Sequence, residues 1–506
     1  MRANLALVVV LVLSGCATSA LQMAPTAPDR PWSPTVDAAG ALSAKPVSGA
    51  QPPSSGYVLP PNPVASGFPP AAIDSERVYG LADLIDLAES TNPETRIAWN
   101  DARNAALTAG MARSTYLPRI SATVLGGRQS ANGNGTALSG LSVGQSESAS
   151  GTVSVLSIDW LLFDFGRREA LVDAADQGTV IANVAFTAAH QKLIHVVSVA
   201  FYTYSATRAR ADSTQASLRD AQEILTAAES RKQHGIGTVV EVAQARQFAA
   251  QAELARIRAD GDQSDAYVAL LSALGVSPLS HIRIADISQR PLPTHLDQPI
   301  ETVVEHALQR RPDVLAAIAT QKAAEAGVRA AKADFLPKVF VSASGTYNSG
   351  NFRVSAIPAV GDQAPTVNLS NRQWGTTIMF GVSVPIYNGG VRNAALAQAR
   401  NREDSAEDAL ERVKLGAAQE VVMAHSKLRT SLAAMAAAQA LLDASQTTYD
   451  AALAAYRRGV GSSTDVLTAE RQLLEARDAT ADAHSAALSA AATLALVCGS
   501  LGSAPD

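Results

Sequence analysis

The sequence has little of what disulfide-rich, metal-binding or nucleic-acid-binding proteins need. Only two cysteines occur in 506 residues, which excludes a disulfide scaffold and a cysteine-rich zinc module. The net charge of −5 excludes a generally basic nucleic-acid binder. No apolar run of roughly 18 residues follows the N-terminus, so we expect no ordinary membrane-spanning helix. Aromatic residues make up 5% and alanine is abundant, which favours long, closely packed helices.

Sequence motifs for catalysis and cofactor binding are also scarce. No phosphate-binding loop, H-E-x-x-H or paired-cysteine motif occurs, so we expect no enzyme, no cofactor and no metal site. The stretch 140–144 matches G-x-S-x-G, but it lies in a Ser/Gly-rich segment and not at a strand-to-helix elbow. His190 and His195 are five residues apart, which does not place them on one helical face. We expect Cys498 to be a buried small residue.

The N-terminus reads as a targeting segment. Arg2 precedes an apolar stretch too short to span a bilayer, which predicts a signal peptide over 1–15. The following Leu-Ser-Gly-Cys resembles the bacterial lipobox, in which the cysteine, here Cys16, becomes the lipidated first residue. The alternative is ordinary cleavage near Ala20 with loss of Cys16. Residues 16–75 are rich in Pro, Ala and Ser and predict an extended strap that buries little.

The remaining chain contains an internal repeat. Two proline-containing pairs recur 219 residues apart, and glycines and acids further on recur 224 residues apart: Asn92-Pro93 with Arg311-Pro312, Leu117-Pro118 with Leu336-Pro337, Gly235 with Gly459, Gly237 with Gly461, and Glu241 with Asp465. We therefore divide the chain into a first repeat over 76–285, a linker over 286–299, a second repeat over 300–500 and a tail over 501–506.

Each repeat predicts a helix, a β-hairpin and a very long helix that turns back at its tip. The hairpin strands show apolar and small polar residues in alternation over about ten residues, with polar loops over 129–147 and 349–371. Such alternation is typical of membrane β-barrels. The predicted lipid-facing residues after 371 are Trp374, Ile378, Phe380, Val382 and Val384.

The long helices are predicted over 167–233 and 391–458, because these stretches contain no proline and one glycine each. At 1.5 Å per residue they form rods of roughly 100 Å, and apolar residues at seven-residue spacing predict a coiled-coil seam. Four strands cannot close a barrel, whereas three chains supply twelve strands, an even number. The sequence thus predicts an α+β membrane protein: a trimeric twelve-stranded barrel continued by a long helical barrel.

The order of these elements resembles the TolC-like outer membrane factors, in the lipidated, multidrug-efflux (NodT/OprM-like) branch. The resemblance covers about 76–500 and rests on the duplicated element order and two motifs, 384–390 after the fourth strand and 456–469 at the second tip. It implies a homotrimeric tunnel in the outer membrane lipid, a mixed equatorial region and a helical part in the periplasm. It also implies a periplasmic membrane-fusion adaptor and an inner-membrane pump of the resistance-nodulation-division or ABC type as partners.

Three functions are consistent with this sequence. The first is a passive exit duct of a tripartite pump that exports small molecules such as drugs. The second is the outer-membrane channel of a type I protein secretion system. The third is a coiled-coil surface lipoprotein without transport, which the alternating strands argue against.

The helix tips are the predicted gate. Gly235, Gly237, Gly459 and Gly461 permit tight turns, and the resemblance implies that they lie at the adaptor contact. Glu241 and Asp465 follow, and they either favour the helix starts or form a ring of carboxylates at the periplasmic mouth. The resemblance implies the ring, with Asp465 at an acidic gate position. Thr468 and Gly461 depart from the family pattern, so the closing contacts are expected to differ.

Overall fold

The computed structural model describes residues 73–287 except 137–141, then 290, 292, 298–357 and 366–502, with short pieces between 23 and 64. The chain divides into two units, Met1–Ile73 and Asp74–Asp506. In the first unit, β1 (Thr35–Val36) pairs antiparallel with β2 (Leu42–Ser43). The predicted signal peptide and Cys16 lie outside the described residues, as does most of the predicted strap.

The second unit contains two series of elements in the same order. The first series is β3 (Val78–Tyr79), α1 (Leu81–Thr91), α2 (Pro93–Ser114), β4 (Arg119–Thr136), β5 (Ser142–Phe163), α3 (Arg167–Gln233) and α4 (Val239–Leu274). The second series is β6 (Arg283–Ile284), α5 (Ile300–Arg310), α6 (Pro312–Ala333), β7 (Lys338–Ile357), β8 (Thr366–Ser383), α7 (Val391–Arg457) and α8 (Ser463–Val497).

Proline and glycine set the helix bounds, and the two long helices agree with their predicted bounds to within one residue. Pro93 and Pro312 occupy the first turns of α2 and α6, where a missing N–H costs nothing. The Asn92 side chain accepts a hydrogen bond from the Glu94 amide and caps α2. Pro118 and Pro337 follow the ends of these helices, and the strands begin directly after them.

Four antiparallel strands form one sheet in the order β4-β5-β7-β8. The strands are 18 to 22 residues long, so the expected length of about ten residues is wrong. The predicted loops over 129–147 and 349–371 are largely strand, because backbone pairing continues through residues of low β-propensity. Val384 is a second correction, since β8 ends at Ser383 and Val384 lies just beyond it.

The helices pack in two arrangements along the rods α3 and α7, each 67 residues and about 100 Å long. Near the sheet, α2, α3, α6 and α7 lie side by side in that order. Towards the other end, α3 packs against α4, α7 packs against α8, and α8 packs against α3. By length and composition alone, α3 contains a window apolar enough to cross a membrane, with a mean hydropathy of 1.3. This window differs from the expectation of no membrane-spanning helix, which rested on the lack of a long unbroken apolar run.

A small mixed region accompanies the rods. Strand β3 pairs in parallel with β6, through Val78 with Arg283 and Tyr79 with Ile284. Helix α1 packs against α3 and α4, and helix α5 packs against α6 and α7. Arg311, at the start of α6, is held by Asp313 and Glu420 at 2.7 and 2.6 Å and donates to the Val497 carbonyl at 3.2 Å. This contact ties α6 and α7 to the end of α8.

The two strand-to-helix junctions share a backbone shape but differ in their side chains. Phe165 and Gly166 before α3 have positive φ angles of 55° and 88°, and Gly389 and Gly390 before α7 have 70° and 87°. Only the first junction contains a residue with a Cβ at the first of these positions, which favours glycine. The first junction therefore stores strain that the second avoids.

Arg168 fastens the first junction. Its side chain is 5% exposed and meets Asp164 at 3.2 Å, the Leu161 and Leu162 carbonyls at 2.6 and 3.1 Å, and the Thr115 carbonyl at 3.1 Å. The guanidinium also lies 4.7 Å from the centre of the Tyr116 ring. One side chain thus binds the end of β5, the start of α3 and the segment after α2.

Candidate functional site: the helix tips

The two rod tips turn in the same way. Helix α3 ends at Gln233 and α7 at Arg457, and each is followed by a glycine with a left-handed backbone, Gly235 with φ 75° and Gly459 with φ 77°. The amides of Ile236 and Gly237 both donate to the Arg231 carbonyl, at 3.0 and 3.1 Å. At the second tip, the amides of Val460 and Gly461 both donate to the Ala455 carbonyl, also at 3.0 and 3.1 Å. These bonds satisfy helix-end carbonyls and close each turn.

The second glycine of each tip is needed for a different reason. A Cβ on Gly237 would lie 2.9 Å from the Lys232 amide nitrogen, and a Cβ on Gly461 would lie 2.9 Å from the Tyr456 amide nitrogen. The turn therefore has no room for a side chain at these positions. All four glycines are predicted tip residues, and they are needed for two reasons. Gly235 and Gly459 adopt the left-handed backbone, whereas Gly237 and Gly461 lie too close to neighbouring backbone for a side chain.

Glu241 and Asp465 begin the returning helices as members of two matching capping boxes. The Thr238 hydroxyl accepts from the Glu241 amide at 3.1 Å, and the Glu241 carboxylate accepts from the Thr238 amide at 3.3 Å. Ser462 and Asp465 make the same pair of bonds, at 3.1 and 3.3 Å. Each carboxylate therefore stabilises its helix start through one oxygen and keeps a second oxygen free of that bond. Asp465 is exposed and Glu241 is half-buried.

All four long helices meet in one apolar cluster behind the tips. Its buried members come from α3, α4, α7 and α8: Ile224, Ala228, Val242, Ala245, Tyr449, Tyr456, Val466, Ala469 and Leu473. Beyond this cluster, four apolar side chains at the turns are more than 60% exposed: Ile236, Val239, Val240 and Val460. The tips thus combine a packed base with an exposed apolar end.

A contact between Arg231 and Tyr456 joins the two helix pairs, and neither residue is among the predicted site residues. The Arg231 guanidinium lies 5.3 Å from the centre of the Tyr456 ring, and the Tyr456 side chain is 3% exposed. Arg457 adds an exposed ion pair to Glu223 at 3.3 Å. The available signal was the heptad row of α7, where Tyr456 is aromatic and its equivalent Lys232 is the one charged member of the matching row.

Three acidic side chains on α3 and α8 are buried or half-buried. Glu470 is fully buried, and both of its carboxylate oxygens lack a hydrogen bond. Burial raises the pKa of the Glu470 carboxyl, nearby Ser217 and Arg477 lower it, and Asp220 raises it further. Burial also raises the pKa of Asp220, and it raises the pKa of Asp478 to about 6.

The remaining sequence candidates lie apart from the tips. His190 approaches Glu89 at 3.5 Å and His195 approaches Thr493 at 3.0 Å, so the two histidines do not share a partner. Cys498 is half-buried, and burial raises the pKa of its thiol. Four of the five predicted lipid-facing residues lie on β8 with 65–78% of their surface exposed, and Val384 beyond it is 56% exposed.

Comparisons with known proteins agree with this architecture. The family model described as outer membrane efflux protein matches residues 84–276 and 303–500. Protein CyaE of Bordetella pertussis is 26% identical over 415 residues, 82% of this chain and 83% of that protein. The antibiotic efflux pump outer membrane protein ArpC of Pseudomonas putida is 27% identical over 407 residues, 79% of this chain and 78% of that protein.

A solved structure supports the fold. The crystal structure of the Campylobacter jejuni CmeC outer membrane channel aligns with a TM-score of 0.66 at 19% identity, over 84% of this chain and 87% of that chain. The match to the family model covers most of both halves of the chain, and the likeness in fold covers 84% of it. The chain therefore belongs to the outer membrane efflux protein family, whose members are outer membrane channels and not enzymes.

Proposed function

We propose that the chain forms a passive, homotrimeric exit duct of a tripartite efflux pump in the cell outer membrane, exporting small molecules such as drugs. The single observation that carries this proposal is the continuity of a four-stranded sheet with rods of about 100 Å. A bilayer core is only about 30 Å thick, so such rods extend into the periplasm. The name of the relative ArpC, an antibiotic efflux pump component, supports small molecules as the cargo.

The sheet edges support the trimer. Within the described residues, β4 and β8 each pair on one side only, and each is 18 residues long. Open edges of that length are not tolerated in lipid. Three chains would pair every β4 with the β8 of a neighbour and close twelve strands into one barrel.

The partners follow from what a passive duct lacks. We propose that an inner-membrane pump of the resistance-nodulation-division or ABC type supplies the energy, and that a periplasmic membrane-fusion adaptor contacts the tips around Gly235, Gly237, Gly459 and Gly461. The exposed apolar side chains of both turns support such a contact. Type I protein secretion and a coiled-coil lipoprotein without transport are the two alternatives.

We further propose a lipid anchor at Cys16 after removal of residues 1–15, with 16–75 as a strap. The two halves, 76–285 and 300–500, are proposed to be repeats joined by 286–299 and followed by a tail over 501–506. Equal helix lengths in the two halves support the repeat, since α2 and α6 are both 22 residues long and α3 and α7 are both 67.

Assembly and conductance test the proposal together. We expect chemical crosslinking of the purified protein in detergent to trap trimers, because four strands per chain cannot close alone. We expect the same preparation to form ion-conducting channels in planar bilayers. A monodisperse monomer with its β-structure intact would contradict the architecture. A trimer that never conducts would favour the non-transport lipoprotein.

We propose that Asp465 and Glu241 form the periplasmic gate, and the capping boxes allow a sharp test of it. In a trimer, three copies of each carboxylate would favour cations, and divalent ions would bridge them and block current. We expect Asp465→Asn to weaken divalent block and reduce cation selectivity, because the amide keeps the capping acceptor and removes the charge. Bilayer recordings with periplasmic divalent ions measure both effects.

Two further variants separate gating from capping. Asp465→Ala removes the charge and the carboxylate half of the capping box, whereas the Ser462 cap on the residue 465 amide remains, and we expect the same loss of block as in Asp465→Asn. Glu241→Gln should have the smaller effect, since Glu241 is the less exposed of the two. Unchanged selectivity and block in Asp465→Asn would assign Asp465 to the helix start alone.

A further inference from the structure

One face of the sheet carries an apolar band with a defined upper end. Strand pairing places Phe380 opposite Val341, Ile378 opposite Ala343 and Trp374 opposite Tyr347 on this face. The distance along β8 from Val382 to Trp374 is about 27 Å at 3.4 Å per residue, or roughly 20 Å of height at the usual tilt. This height is comparable with the apolar band of about 25 Å in membrane barrels.

The band ends at a pair of aromatic rings. The Tyr347 and Trp374 ring centroids are 4.8 Å apart, and Trp374 is 76% exposed. Aromatic residues with a polar edge are enriched where hydrocarbon meets headgroups. The Tyr347–Trp374 pair therefore marks one interface of the proposed membrane-spanning sheet.

The next levels of the same face are basic and hydroxylated. Two residues beyond Trp374 comes Arg372, which pairs with Ser349, and Ser349 pairs with Thr152. Thr152 in turn pairs with Gly126 on β4, and Arg128 lies two residues beyond Gly126 on the same face, opposite Ser150. Both arginines are exposed, and neither has an ion pair among the described residues. A hollow of about 760 Å³ at this level has Arg372, Ser349 and Thr152 in its wall, and no carboxylate.

Three of the four strands carry charge of one sign. Strands β4, β7 and β8 contain no aspartate or glutamate, whereas they contain five basic residues: Arg119, Arg128, Lys338, Arg353 and Arg372. The remaining strand, β5, contains Glu147 and Asp159. A guanidinium with no carboxylate partner at a headgroup interface has phosphate as its natural ligand, which it binds through two parallel hydrogen bonds.

The position along the strands selects one leaflet. Helix α2 precedes Arg119 at one end of β4, and α3 follows Phe163 at the same end of the sheet. Arg128 and Arg372 lie on the other side of the aromatic pair, away from the helices. With the helices in the periplasm, as the proposed function requires, this belt lies among the headgroups of the outer leaflet.

We propose that Arg128 and Arg372 form a binding site for the phosphate groups of an outer-leaflet glycolipid, with the hydroxyls of Thr152 and Ser349 available to the sugar. This inference rests on the proposed function for the orientation of the sheet. The two arginines lie on the edge strands β4 and β8, so closing the barrel sets the Arg128 strand of one chain beside the Arg372 strand of the next. Each trimer would thus carry three such sites, one per chain boundary.

The test compares defined lipids on the purified full-length trimer. Binding of diphosphorylated lipid A is measured by native mass spectrometry or microscale thermophoresis for the wild type and for the double variant Arg128→Gln with Arg372→Gln. We expect the double variant to bind lipid A about tenfold or more weakly, which corresponds to the loss of a charge-assisted contact. Dephosphorylated lipid A should bind wild type and variant equally and weakly.

Controls make the outcome unambiguous. Arg119→Gln removes the same charge at the helix end of β4, and it should leave lipid A affinity unchanged. Phosphatidylglycerol tests a general anionic lipid, and an equal loss for both lipids in the double variant would overturn the glycolipid assignment. If wild-type trimers conduct but the double variant binds lipid A as tightly as wild type, this inference fails alone. If wild-type protein neither trimerises nor conducts, the proposed function fails first.

Discussion

Replacing Arg168 by leucine should lower the free energy of unfolding by about 3–5 kcal/mol. The change leaves the Asp164 carboxylate, which is 4% exposed, without its cation. It also removes the donors of three carbonyl hydrogen bonds that join β5, α3 and the segment after α2. Guanidinium unfolding followed by tryptophan fluorescence measures the loss, and the heat resistance of the proposed trimer on gels should fall with it.

The chain supplies a matched control for this prediction. Arg392 is the equivalent residue of the second half, and its side chain is half-buried with no ion pair among the described residues. We expect Arg392→Leu to change stability by less than about 1 kcal/mol. Adding Asp164→Asn to Arg168→Leu should recover part of the lost unfolding free energy, because the double variant no longer buries an unpaired carboxylate. Equal effects of Arg168→Leu and Arg392→Leu on stability would contradict the proposed role of Arg168 in fastening the first junction.

Replacing Glu470 by methionine should stabilise the protein by about 1–3 kcal/mol near pH 8, because a fully buried carboxylate that lacks a well-formed hydrogen bond, with only Ser217 nearby to offset its burial, gives way to an apolar side chain. The raised pKa of Glu470 sets the sign of the pH dependence. A folded state that holds the proton more tightly loses stability as pH rises from the ordinary value of 4.5 towards the folded pKa. The gain from the variant should therefore shrink as pH falls to about 4.5.

Thermal unfolding of wild type and variant across pH 4.5 to 8 measures this effect. Glu475→Met on the same helix is the control, since the Glu475 side chain is 70% exposed and its replacement should give no gain. Asp478→Asn should remove a pH dependence of the same sign between about pH 4 and 6, in line with the Asp478 pKa of about 6. A Glu470→Met profile parallel to wild type would show that the carboxylate carries no burial cost.

The helices were predictable because single residues punctuate them. Pro93, Pro118, Pro312 and Pro337 bound α2 and α6, and the tip glycines end the rods, so local chemistry alone gave these bounds. The strand lengths were not predictable in this way. Segments such as 129–136 have low β-propensity and extend because a neighbouring strand pairs with them, a non-local cause.

The features of the candidate site also divide into those with a local cause in the sequence and those with a non-local cause. The tip glycines and the acids Glu241 and Asp465 were predictable, because their roles depend on residues only a few positions away. The capping boxes agree with the helix-start interpretation of the two acids and do not test the carboxylate ring. The Arg231–Tyr456 contact joins residues 225 positions apart, and no local pattern encodes such a pair. The burial of Glu470 also depends on which helix packs beside α8.

The difference between the two strand-to-helix junctions has a mechanical consequence. The first arm of the molecule leaves the sheet through Phe165 and Gly166, and Arg168 locks it there. The second long helix, α7, leaves the sheet through two consecutive glycines, Gly389 and Gly390, and no atom of the described residues lies within 4 Å of a Cβ added at either position. A force applied at the tips therefore acts on one rigid junction, before α3, and on one flexible junction, before α7. Pulling or twisting the tips should displace α7 and α8, while α3 and α4 keep their position relative to the sheet.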